Sequence, residues 1–321
     1  MKSRNEFISL LKYSFKLCRP SQTFRMRNLK DCYMTLKIGP IGKLIVVCSQ
    51  KGGIVKSQSS SEIAHDLRKA GFRVLEIDMD WTTGLTERAF PDDLPYEIER
   101  EPLSNSFTPG EANTYQLFFP ETEVRPIELP GGRFFIGATS ELNEINYRNS
   151  DCMFDFRDRI EELKKQFDFI IADSAPSYSN VMIAAHMSAD YLLIPTLLEK
   201  QARNAVGKQL TYMQKIKRNY NPSLQFMGTY VSQTQVKNYK KPLKEGYLGP
   251  IDTLNLNLLI EILQGKGYSE EYILAYISFV PAAAKEAIEL GLSFDEYDPK
   301  CLPAIQYKEL TQKIIMLAGG K

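Results

Sequence analysis

The sequence predicts an α/β fold, a doubly wound and mostly parallel sheet with helices on both faces, and three observations carry that prediction. Short apolar runs alternate with segments of helical periodicity from residue 43 onward, the rhythm of repeated βαβ units. Most of the runs are apolar at successive positions, as strands covered on both faces require. The first of them leads straight into residues 50–57, Gln-Lys-Gly-Gly-Ile-Val-Lys-Ser, a loop of the kind that cradles phosphate when it joins a strand to a helix.

In chain order, the apolar β-rich runs predict strands at 44–48, 73–77, 134–137, 169–172, 191–194, 226–231 and 276–280. The helical patterns between them fall at 62–70, 155–166, 180–187, 201–218, 254–265, 283–290 and 303–318. Residues 91–132 are rich in Pro, Glu and Asn and read as an exposed connection with a short helix at 113–119. A second polar stretch, 233–250, holds Lys237, Lys240, Lys241 and Lys244 with Tyr239 and Tyr247. The domain is therefore expected over residues 41–321, preceded by a basic extension of residues 1–40. That extension carries nine Lys and Arg residues against Glu6 and Asp31 alone. It reads either as a poorly ordered tail, with Met34 an alternative start, or as a basic helix that touches a membrane surface or nucleic acid.

A chain of 321 residues has length enough for one large α/β core. Lys+Arg 40 against Asp+Glu 39 excludes a global polyelectrolyte signal, so any nucleic-acid contact must come from local patches. No apolar run approaches the roughly 18 residues of a membrane span, and a cytoplasmic location is expected. The five cysteines are scattered, odd in number and without a C-x-x-C pair, which suits a reducing compartment and argues against zinc or an iron–sulfur cluster. His65 and His186 have no companion at ligand spacing and read as surface or packing residues.

The chemistry lies at three strand ends. In the first loop, successive backbone N–H groups point at phosphate oxygens, Lys56 adds a point charge, and the Ser57 hydroxyl suits Mg²⁺. Gln50 and Val55 stand where the pattern G-x-x-x-x-G-K-[ST] has its two glycines. Asp78 and Asp80 follow the second strand, placed either to hold Mg²⁺-bound water and orient an attacking water or merely to cap a turn. Asp173 ends another apolar strand and suits Mg²⁺ through water.

Lys51-Gly52-Gly53-x-x-Lys56-Ser57 resembles the deviant Walker A box of the ParA/MinD superfamily, most of all that of ParA partition ATPases. Asp78-x-Asp80, the strand from Phe167 to Asp173 with Pro176-Ser177, Ala189-Asp190 leading to Ile194-Pro195, and Val280-Pro281 with Tyr297-Asp298-Pro299 are similar to that family's later motifs, in the same order. The resemblance spans residues 43–318, with Trp81 and Thr82 in place of the family's Pro-Gln. It implies a P-loop NTPase-type fold that binds ATP and Mg²⁺, with Gly52, Gly53, Ile54, Val55, Lys56, Ser57, Gln58 and Pro281 around the nucleotide. Ser57, Asp78 and Asp173 would serve the metal, and Lys51 and Asp80 hydrolysis. It further implies an ATP-dependent homodimer with Lys51 reaching across the interface, nonspecific DNA binding that makes the protein nucleoid-associated, and a ParB-like stimulatory partner. Lys208, Lys215, Lys217, Arg218, Lys237, Lys240, Lys241 and Lys244 are the candidates for DNA phosphates. The alternatives are a nucleotide-degenerate scaffold and a MinD-like positioning ATPase on a membrane; the latter needs a terminal amphipathic helix, whereas residues 310–321 read as the closing helix of the domain.

Val55 is the point of tension. If its φ is positive, a stiff β-branched side chain sits where glycine is at ease, and strain of about 1–3 kcal/mol corresponds to roughly ten- to a hundredfold in affinity. Strain predicts weak nucleotide binding; a clash with phosphate predicts none.

Overall fold

The computed structural model describes residues 42–53, 55–90, 112–176, 178–234 and 248–319. The basic extension 1–40, Ile54, Ser177 and the lysines Lys237, Lys240, Lys241 and Lys244 thus lie outside the described residues. Eight strands form one sheet: β1 (Lys43–Val47), β2 (Val74–Met79), β3 (Ile127–Leu129), β4 (Arg133–Ile136), β5 (Phe169–Ser174), β6 (Tyr191–Thr196), β7 (Gln225–Thr234) and β8 (Ile273–Ser278). Their order is β3-β4-β2-β5-β1-β6-β7-β8. All neighbours are parallel except β3, which runs antiparallel to β4 at the edge. The fold is therefore the doubly wound α/β class that the apolar runs predict.

Helices cover both faces: α1 (Lys56–Lys69), α2 (Gly84–Ala89), α3 (Cys152–Lys164), α4 (Asn180–Ser188), α5 (Lys200–Asn219), α6 (Pro250–Gln264), α7 (Pro281–Glu289), α8 (Phe294–Tyr297) and α9 (Leu302–Gly319). Because strand side chains alternate, Ile45, Val47, Val74 and Ile171 pack with Ile63 and Leu67 of α1 and with Tyr307, Leu310 and Ile314 of α9. Leu44, Val46, Leu75 and Ile170 face the other way, onto Phe156 and Ile160 of α3, Val181 and Met182 of α4, and Val206 and Leu210 of α5. Both faces are dry, so the strands show no polar alternation to read.

Four expectations are corrected. Helix α1 begins at Lys56, six residues before the predicted 62, because its first turns are polar yet buried: Gln58, Ser59, Ser60 and Ser61 lie under the sheet end, and Ser59 shares a 2.7 Å hydrogen bond with Tyr307 of α9. Apolar periodicity is silent there. The stretch expected to be an exposed connection contains, within residues 112–132, strand β3, and the short helix expected at 113–119 is there as a 3₁₀ helix, Thr114–Phe118, but with Leu117 and Phe118 buried rather than exposed. The last strand ends at Ser278 rather than 280, since Pro281 opens α7 and the two residues before it form the link. Helix α6 starts at Pro250, four residues ahead of the predicted 254, because a proline at the first helical position needs no N–H partner.

Both histidines are structural. His186 is fully buried in α4, and burial pushes its pKa down to about 4. His65 of α1 faces Asp295 and Glu296 of α8 at 3.5 and 3.8 Å.

One buried ion cluster ties the sheet to α1. Glu76 of β2 is wholly buried and is held by Nε and Nη2 of Arg133, each at 2.7 Å, and by Arg68 at 2.6 Å. Removing one charge from such a set leaves the others uncompensated in a dry interior. Glu76→Gln should therefore lose about 3–5 kcal/mol of stability in urea unfolding; a loss under about 1 kcal/mol would show the arginines to be hydrated instead.

Candidate functional site

The sheet order reverses beside β1, with β5 on one side and β6 on the other, and ligands of doubly wound sheets bind at such a switch point. The loop after β1 sits there. Lys51 N–H donates to Ser49 Oγ at 3.3 Å, Gly52 and Gly53 are exposed, and Gly53 has φ +73°. Val55 is the N-cap of α1 with φ +56° and ψ +36° and gives no side-chain cap. The first-turn amides of α1 thus have no capping side chain and are available to an anion, while Val55 carries the left-handed torsion that its branched side chain resists.

Strand register builds the rest. Val47 of β1 pairs with Asp173 of β5, and Asp173 pairs with Asp78 of β2, so both carboxylates stand at the height where the loop leaves the sheet. Ser57 Oγ, in the first turn of α1, donates to Asp173 Oδ2 at 2.5 Å. Asp173 Oδ1 is buried with no hydrogen-bond partner. Burial, then the neighbouring Asp78 charge, raises the Asp173 pKa; Lys56, itself buried, and Ser57 pull it back. Buried polar atoms are ordinarily partnered, and an orphaned carboxylate oxygen beside a serine hydroxyl on a helix N-terminus fits a hard cation.

Asp78 is placed differently. Its Oδ1 accepts the Asp80 N–H at 3.0 Å and its Oδ2 accepts both the N–H and the hydroxyl of Thr86, at 2.8 and 2.7 Å. Both oxygens are engaged, Oδ2 in holding α2 against the end of β2 and Oδ1 in the turn that follows the strand. Asp80 Oδ1 in turn accepts the Thr82 N–H at 3.0 Å. The segment bends through Thr83, at φ +61°, into Gly84, where an added Cβ would lie 3.1 Å from Ser57 Oγ. Glycine thus lets α2 close on the serine without displacing its hydroxyl.

The sequence-predicted residues Lys51, Gly52, Gly53, Val55, Lys56, Ser57, Asp78, Asp80 and Asp173 converge on this sheet end. Gln58 is buried and donates along its helix to Glu62 at 3.3 Å. Pro281 is exposed at the start of α7, after β8, three strands from β1. Sequence reasoning gave no role to Glu199, Thr86 or Gly84. Glu199, the N-cap of α5, forms an ion pair with Lys51. Beside it lies a cavity of about 230 Å³ bounded by Leu197, Glu199, Gln233 and Asp252. Val55, Thr83 and Gln233 are the non-glycine residues with positive φ among the described residues, and each borders the site or this cavity. Glu199 and Thr86 act through contacts with residues distant in sequence, which no local pattern marks.

The profile of the AAA domain family matches residues 42–226. The chromosome partitioning protein ParA of Myxococcus xanthus is 29% identical over 191 residues, covering 59% of this chain and 64% of that protein. Protein IncC of Escherichia coli is 26% identical over 189 residues, and the match spans only 49% of its length. The sporulation initiation inhibitor protein Soj of Bacillus subtilis is 23% identical over 287 residues, 85% of this chain and 98% of that one. Among solved structures, the ATP complex of a Cyanothece McdA variant superposes with TM-score 0.67 at 17% identity, covering 88% of this chain and 98% of its own. The Pyrococcus furiosus cell division ATPase MinD gives 0.62 at 18% identity, covering 86% and 99%.

The raised Asp173 pKa means that the folded state holds this proton more tightly than the unfolded chain, so the group's contribution to stability is lost as pH rises. Ligand-free Asp173→Asn should accordingly melt no lower than the parent at neutral pH, with its relative advantage growing as pH rises above the ordinary carboxylate range. A lower melting temperature at neutral pH would contradict the raised pKa.

Proposed function

Because the chain belongs to the AAA domain family and to the ParA/MinD superfamily, we propose that it binds Mg²⁺·ATP in the β1–α1 loop and acts as a ParA-like partition ATPase with weak hydrolysis. The observation that carries this reading is the Ser57–Asp173 pair with its orphaned carboxylate oxygen, set against the first turn of α1. Ser57 and Asp173 would hold Mg²⁺, which when bound offsets phosphate charge. Lys56 and the first-turn amides would bind the phosphates, and Asp80, whose Oδ1 accepts the Thr82 N–H, would position a water. Asp78 supports the site by fixing α2 rather than by ligation.

In this reading ATP-bound copies pair face to face, and Lys51 must leave Glu199 to reach the partner's phosphates. Helix α5 offers a surface for DNA. Lys208, Lys215 and Arg218 are exposed along one stripe, Lys217 is exposed beside them, and Lys266 extends the stripe by donating to Thr211 at 2.7 Å. Among the described residues none of these five takes part in an ion pair with a carboxylate. Contacts of this kind neutralise phosphates without reading sequence. A ParB-like protein would stimulate release. No described helix is long and apolar enough to cross a membrane.

The left-handed Val55 favours a second reading, a scaffold that keeps the fold without turnover. Calorimetry separates the two. The parent should bind Mg²⁺·ATP, and because Val55 already holds its left-handed torsion without ligand, the strain of about 1–3 kcal/mol relieved in Val55→Gly should appear in stability while affinity stays within about tenfold of the parent. Binding that appears only after the substitution supports the scaffold. DNA retention should require ATP, fall steeply with salt, and weaken in Lys208→Ala/Lys215→Ala; retention by anionic liposomes alone would replace the partition reading with the membrane one.

A further inference from the structure

Helix α5 holds the start of the nucleotide loop at two consecutive residues. Lys51 pairs with Glu199 at its N-cap, and Gln50 Nε2 donates at 3.2 Å to Oε1 of Gln209 at mid-helix. Gln209 is fully buried on the face whose neighbours Val206, Leu210 and Met213 pack into the core. An apolar side chain would serve packing there, and a buried amide is costly unless its groups are bonded.

They are bonded, and in one orientation only. His186 Nδ1 lies 2.7 Å from the Met182 carbonyl, which can only accept, so Nδ1 carries the proton and Nε2 is a bare acceptor. Gln209 Nε2 donates to that Nε2 at 2.8 Å and to Cys48 Sγ at 3.3 Å. Its Oε1 is thereby turned to the Gln50 amide. Flipping the Gln209 amide would set an oxygen against the histidine lone pair, so the neutral ring fixes the direction of the whole chain. The chain runs from α4, through α5 and the end of β1, to the position where phosphate loops ordinarily carry their first glycine.

We propose that Gln209 is a positioning residue for nucleotide binding: acting through Gln50, it sets the backbone of residues 50–53 against α5, a side-chain tether in place of the compact turn that glycine provides. The inference rests on the reading of the loop as an ATP site, and two readouts keep the two apart. Amide hydrogen exchange in the ligand-free protein reports loop order without nucleotide, and calorimetry reports Mg²⁺·ATP affinity. Gln50→Ala, at a half-buried surface position, leaves the core intact and carries the test if Gln209→Met proves poorly folded.

Each single variant should speed exchange at Lys51–Gly53 and weaken Mg²⁺·ATP binding about tenfold, the effect of one buried hydrogen bond. The double variant should be no worse than either single one, as for partners in one interaction. Unchanged exchange in Gln50→Ala, with ATP binding intact, overturns the inference alone. Faster exchange with parental affinity overturns it too, because the tether would then serve the fold only. Absence of ATP binding by both the parent and Val55→Gly overturns the nucleotide reading, and the inference falls with it.

Discussion

The structure turns on the register of three parallel strands. Pairing β1 with β5 and β5 with β2 places Asp173 and Asp78 side by side at the buried end of the sheet, just where the chain leaves β1 for the loop. Two carboxylates this close and this dry cannot both ionise without help. Each is given a different kind: Asp78 receives three hydrogen bonds from α2 and its approach, whereas Asp173 receives one from Ser57 and keeps an oxygen without a partner. That asymmetry separates a carboxylate consumed by architecture from one that keeps an oxygen to spare, in residues that look equivalent on the page.

Strain is concentrated around the same sheet end. Val55 and Thr83 lie at the starts of α1 and α2, both left-handed and both β-branched. Such torsions persist only where surrounding packing over-determines them, and they gather at functional sites. Here the packing is visible. Ser59 N–H donates to the Val55 carbonyl at 2.9 Å to close the first turn, Ser59 is pinned by Tyr307, and Thr86 locks α2 to Asp78 and to the Ala138 N–H. The loop is thus braced from α9, from β2 and, through Gln209 and Glu199, from α5.

Helix α5 has two faces with separate tasks. Its inner face supplies Val206, Leu210, Met213 and the buried Gln209; its outer face carries Lys208, Lys215 and Arg218. The helix thus bonds the β1–α1 loop on one side and presents cations on the other, and its rigidity follows from the core on which it lies.

The α/β class, the order of most elements and the identity of the phosphate-loop and strand-end residues are legible in the amino-acid sequence, because apolar runs, helical periodicity and a short motif are local properties. The first turns of α1 and the edge strand β3 are not, since buried serines and an antiparallel edge break the local pattern. Which residues meet is settled by packing alone: Ser57 with Asp173 across 116 positions, Gln50 with Gln209 across 159, Lys51 with Glu199, and Asp78 Oδ2 with Thr86 of α2. Partners and backbone torsions such as that of Val55 are set by what packs around them, and the packing is written over the whole chain rather than at any one motif.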